Sequence, residues 1–135
     1  MNQTAASFES RSSEAVPAVF AFSEDPFVGI FSLLSEDESK EIRIACTRLV
    51  SLFAGRYPVI RKKCIQQLID MLNDEHDEVR LKAIDGIFDI KEEQLLLSKE
   101  EVSTVVFNLK EDNALLRKGI YRLFSKVEVR EEESF

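Results

Sequence analysis

The 135-residue chain has no tryptophan, one histidine, two cysteines, three prolines and four glycines. Each scarcity closes off a class of protein. Two cysteines cannot build the disulfide framework of a small secreted domain, so reduced thiols in an intracellular setting are expected. One histidine cannot supply the several imidazoles of a histidine-rich metal centre. No glycine-rich phosphate loop occurs, because Gly86 and Gly119 stand singly among helix-forming residues. Positive charge is also short: 18 Lys and Arg face 25 Asp and Glu, a net charge of −7. A nucleic-acid binder usually carries a basic footprint instead. Long apolar runs are missing too. The stretch "AVPAVFAF" is cut by Pro17 and follows Glu9 and Glu14, where a secretory signal would be positive. Neither a membrane segment, which needs about 20 apolar residues, nor a signal peptide is expected.

What is present favours one helical domain. The chain is 44% hydrophobic and 32% charged, enough to bury a core and keep a polar surface. Lys, Glu, Leu and Arg are plentiful, and all are good helix formers. Residues 1–22 are rich in Ser and Ala without apolar periodicity and read as a weakly structured leader. Residues 128–135, "EVREEESF", read as an acidic tail.

The stretch between them repeats. "DESKEIR" ends at Arg43, "DEHDEVR" at Arg80 and "EDNALLR" at Arg117, so the arginines stand 37 residues apart. Asp37, Asp74 and Glu111 precede them by six positions. After the arginines, Cys46, Ala83 and Ile120 align, then Val50, Ile87 and Phe124, then Phe53, Ile90 and Val127. With Ile42, Val79 and Leu116 they run i, i+4, i+8, i+11, one face of an α-helix. Ahead of each turn a second stripe aligns Val28, Ile65 and Val102, then Phe31, Leu68 and Val105. Ser32 and Ser35 interrupt it in the first copy, where Leu33 and Leu34 are expected to substitute.

Each copy therefore reads as helix, acidic turn, helix. Asp25-Pro26 and Tyr57-Pro58 mark helix starts. Ser98 and Glu101 have capping-box spacing, and Gly55 is expected to end its helix in a left-handed conformation. The leucines of "KEEQLLLSK" should tuck against the stack. One such hairpin cannot bury both apolar faces alone, but stacked hairpins can. The expected fold is all-α: a solenoid over residues 23–127 of about three antiparallel helix pairs, at about 26–55, 58–91 and 98–127.

The tetratricopeptide and ankyrin signatures are absent. The pattern of turn acid, four residues, apolar residue and arginine resembles the HEAT-repeat family. "CIQQLIDMLNDEHDEVRLKAI", with "FVGIFSLLSEDESKEIRIACTRLVSLF" before it and "LSKEEVSTVVFNLKEDNALLRKGIYRLF" after it, is similar to the Integrator complex subunit 4 family of HEAT proteins. The resemblance runs from about Pro26 to Val127. It implies that Asp37, Asp74 and Glu111 sit in turns and that Arg43, Arg80 and Arg117 bridge along the stack as a ladder. A turn aspartate can accept from free helix-start N–H groups, and a guanidinium can hold a carboxylate bidentately. The resemblance also implies a nuclear, non-enzymatic scaffold. Its partners would be the paired metallo-β-lactamase-type subunits of the RNA cleavage module. An unrelated HEAT-type adaptor in transport or chromosome organisation is the alternative.

No catalytic, cofactor or metal residue stands out, and no small-molecule substrate is expected. His76 lies in a turn among acids, and Cys46 and Cys64 fall in helices without a neighbouring base. Two surface features are candidates for binding. Glu75, Asp77 and Glu78 belong to an acidic edge that recurs at each turn. Arg56, Arg61, Lys62 and Lys63 form a basic patch with no acid in residues 54–69. One short patch on an acidic chain makes only a weak claim on RNA phosphate.

Overall fold

The computed structural model describes residues 27–92 and 94–130. The leader, the Asp25-Pro26 start and residues 131–135 lie outside the described residues. Within them the chain is an all-α helical repeat with one small addition. A short segment kinked at Gly29 (Phe27–Phe31; φ −84°, ψ −112° at the glycine) leads into α1 (Ser32–Ser35). Then come α2 (Lys40–Arg56), a 3-10 turn (Pro58–Ile60), α3 (Arg61–Asp70), α4 (Asp77–Asp89), β1 (Leu95–Leu97), α5 (Lys99–Phe107), α6 (Ala114–Phe124) and β2 (Val127–Val129). Helices α2, α4 and α6 pack in series in one layer, and α3 packs on α5 in the other, with α3 also against α2 and α4.

Local chemistry sets the helix ends. Ser39 caps α2 by accepting from the Ile42 N–H. Ser98 and Glu101 close a complete capping box at α5. Asn113 caps α6, accepting from Leu115 and Leu116 N–H at 2.9 and 3.2 Å. Gly55 does not end α2 as expected. The helix runs through it to Arg56 and none of the described residues has positive φ. Tyr57 stops the helix instead, extended at φ −122°, ψ 91°, because the residue before a proline is driven out of the α region.

The two aligned stripes form the core. Phe31, Leu68 and Val105 are fully buried, as are Val50, Ala83, Ile87, Leu116 and Ile120. Truncating Leu68 to Ala would cost about 2–5 kcal/mol. The first copy departs from the pattern. Leu34 packs against the core, but Leu33 is 73% exposed, since α1 is one turn long and presents only one of the two leucines inward. Gly119 permits close helix approach: a Cβ there would lie 3.1–3.2 Å from Ile84 side-chain atoms. Phe88 takes the Arg122 guanidinium over its ring at 4.2 Å, a further tie between the second and third copies.

The small addition is a parallel pair of strands, with Leu95 opposite Val127 and Leu97 opposite Val129. Leu95 and Leu97 tuck inward as expected, while Leu96 faces out. Residues 128 and 129, read from sequence as the start of the tail, belong to β2.

Candidate functional site

The turn edge is where charged groups meet at short range. Arg43, near the start of α2, reaches across to the next turn. Its Nε donates to Asp74 Oδ2 at 2.7 Å and its Nη2 to Asp74 Oδ1 at 3.2 Å. Its Nη1 donates back to the carbonyls of Asp37 and Glu38 at 2.8 and 3.2 Å. Nη2 also lies 3.1 Å from His76 Nδ1. A guanidinium has only donors, so in a hydrogen bond across this contact the imidazole nitrogen is the acceptor. Asp74 further accepts from the His76 N–H at 2.9 Å. The side chains of Arg43 and Asp74 are only 10% and 9% exposed.

Arg80 makes the equivalent reach from α4. Its Nη2 donates to Glu111 Oε1 at 3.2 Å and to Asp77, and its Nη1 to Asn108 Oδ1 at 3.3 Å. Its Nε is buried with no hydrogen-bond partner among the described residues. Asp77 also accepts from Asn113 Nδ2 at 3.1 Å. The Arg117 side chain has a single described hydrogen bond, from Nη1 to its own turn carbonyl at Glu111, 2.7 Å. Thus each arginine that has a following turn meets the acid of that turn. Asp37 heads the series and accepts from the Ser39 N–H at 2.8 Å.

Charge states follow from these contacts. Burial works to raise the Asp74 carboxyl, but hydrogen bonds from Arg43 and the His76 N–H outweigh it and hold the pKa below its ordinary value. The Asn113 amide, followed by Arg80, does the same for Asp77. Arg43 and Arg80 are shifted upward, Arg43 chiefly by Asp74. For Arg80, burial pulls down but Glu111 and Asp77 more than compensate.

The other candidate residues are placed differently. Glu75 and Glu78 project outward, with side chains 81% and 56% exposed. Glu78 pairs with Lys40 at 3.1 Å. Asp77, grouped with them from sequence, is drawn into the Arg80 cluster. The basic patch is divided. Arg61 donates from Nε to the Ala54 carbonyl at 2.9 Å and from Nη1 to Glu92 at 3.1 Å, so it closes the end of α2. Arg56 lies over the Tyr57 ring, and Lys62 and Lys63 are exposed on α3. Burial pushes the Cys46 and Cys64 thiols up to about 11 and about 12, the reverse of what a nucleophile needs. Among the described residues no group of His, Cys, Asp and Glu is placed to hold a metal ion, and no helix is long and apolar enough to cross a membrane.

Three polar partners carry no signal in the 37-residue alignment. Asn108 is 1% exposed and links Arg80 to the Thr104 carbonyl. Asn113 joins the α6 cap to Asp77. Ser51 donates to the Gly86 carbonyl at 2.7 Å, tying α2 to α4. Only the position of Asn113, directly ahead of a predicted helix, offered a clue.

No family model matches the chain. It is 32% identical over 98 residues to Integrator complex subunit 4 of Homo sapiens, of Mus musculus and of Xenopus laevis. The matched stretch is 73% of this chain and 10% of each relative, so the chain spans about a tenth of the length of the curated relatives it matches.

Proposed function

We propose, from the resemblance to Integrator complex subunit 4, that this chain is a scaffold which presents its turn edge to protein partners in an Integrator-type complex. The observation that carries the reading is the coincidence of that match with a stack of helix pairs joined by arginine-to-acid contacts. The stack holds its turns in fixed relation before any partner arrives, so little conformational entropy is lost on docking. The Arg43–Asp74 and Arg80–Glu111 contacts are the ladder of this scaffold, and the scaffold itself performs no chemistry. Its partners are the RNA endonuclease subunits of the cleavage module. Its setting is the nucleus, in small nuclear RNA 3′-end processing and transcription termination.

Glu75 and Glu78 are the outward acids and the proposed contact. Acids along one edge steer a basic partner at long range and set specificity more than affinity. The test is affinity recovery of nuclear partners with the double variant Glu75→Lys, Glu78→Lys. Neither residue takes part in the ladder, so helicity by circular dichroism stays that of the parent while recovery of the endonuclease subunits falls. Undiminished recovery removes the acidic edge from the proposal. Recovery of import or chromosome-organising factors by the parent chain, with no endonuclease subunits, overturns the Integrator reading in favour of a general adaptor.

A further inference from the structure

We infer that the two ends of the stack are complementary, and that copies of this chain join head to tail with Arg117 of one copy holding Asp37 of the next. The ladder has the same step twice: Arg43 to Asp74, then Arg80 to Glu111, each bridging to the turn 31 residues on. The series leaves one arginine and one aspartate over. Arg117 makes only its own-turn contact to the Glu111 carbonyl, as Arg43 does to the Asp37 carbonyl. The rest of its guanidinium has no described acid. The Asp37 carboxylate, at the opposite end, accepts only from the Ser39 N–H among the described residues. These groups stand in the same register as the two completed pairs.

The apolar faces repeat the argument. Ile69 and Ile84 are each 2% exposed, and Ile84 packs on Gly119 of the following copy. Their counterparts 37 residues on, Val106 and Tyr121, are 42% and 66% exposed, with no helix pair packed on them among the described residues. At the head, Ile42 is 39% exposed where its counterparts Val79 and Leu116 are fully buried. The end that carries Arg117 and exposes Val106 and Tyr121 thus matches an end that carries Asp37 and exposes Ile42. Such a contact is heterologous and need not close on itself, so it generates dimers and then longer rows. The occupant is a second copy, because the acid in the required position is on this chain.

Sedimentation of the full chain over a range of concentrations tests this, with thermal melts as the check on folding. The weight-average mass should rise with concentration. Arg117→Asp and Asp37→Arg should each weaken association by about tenfold or more, as expected on removing one partner of a charge pair at an interface. In an equimolar mixture both junctions between unlike variants join opposite charges, one of them the native Arg117–Asp37 pair, so association and longer alternating rows should return. If Asp37→Arg disturbs its turn, Asp37→Asn retains the Ser39 contact, and Tyr121→Glu tests the apolar half independently. Each should weaken association with an unchanged melt. A parent chain that stays monomeric overturns the inference. So do charge variants that associate like the parent, or a mixture that stays monomeric.

Discussion

The two completed steps of the ladder use the same residue spacing and reach different results. Arg43 meets Asp74 with two nitrogens, and both side chains are about nine-tenths buried. Arg80 meets Glu111 with one nitrogen, leaves its Nε without a partner among the described residues, and spreads its remaining bonds over Asp77 and Asn108. Glu111 itself is 30% exposed. The extra methylene of glutamate explains part of the contrast. Asp74 is short enough to accept the His76 N–H within its own turn while it faces Arg43, and so is fixed before the arginine arrives. Glu111 has no such turn contact among the described residues. A repeat thus conserves the reach of the arginine, while the rigidity of the acceptor decides how much the contact stabilises.

This contrast orders the consequences of breaking each step. Asp74→Ala should be the most damaging, by about 3 kcal/mol in urea unfolding, because it strips a buried cation of its counter-charge. Arg80→Ala should follow at about 2 kcal/mol, the scale for losing hydrogen bonds to charged groups. Glu111→Ala should cost about 1 kcal/mol or less, since Asp77 and water remain to serve Arg80. Lys40→Ala, which breaks the exposed pair with Glu78, should change stability by about 0.5 kcal/mol at most. A reversed order of Asp74→Ala and Glu111→Ala would remove the distinction between the steps.

Acid sharpens the same comparison. Asp74 and Asp77 have folded-state pKa values below the ordinary 3.8. A carboxyl with a depressed folded pKa contributes stability that is fully present above its unfolded pKa and is lost as pH falls through the folded value. Unfolding free energy should therefore hold steady near neutrality and decline below about pH 4. Asp74→Asn should begin less stable and show a shallower decline over that window. A slope identical to the parent's would mean that the Asp74–Arg43 contact does not persist in solution.

Much of the architecture was legible because helix packing imposes a period that survives in one dimension. The alignment of Phe31 with Leu68 and Val105, and of Cys46 with Ala83 and Ile120, predicts buried positions, and these side chains are buried. The same alignment set the three arginines and the three acids in register. It could not say that Asp77 would leave the outward edge for Arg80, because that depends on Asn113 approaching from the next copy. Nor could it find Asn108 or Ser51, whose partners are single carbonyls and side chains without periodic repetition. Gly55 misled because glycine permits a left-handed stop without requiring one, and Pro58 had already imposed a different end. The strand at Leu95–Leu97 is three apolar residues long, with no alternation to reveal it.

The central claim is that arginine-to-acid contacts couple adjacent repeats rather than merely decorate the turns. A double-mutant cycle on Arg43 and Asp74, run beside one on the exposed Lys40–Glu78 pair, measures this directly. The exposed pair should couple by about 0.2–1 kcal/mol. The account predicts that the Arg43–Asp74 coupling clearly exceeds that control in the same protein. A coupling no larger than that of Lys40–Glu78 would contradict it.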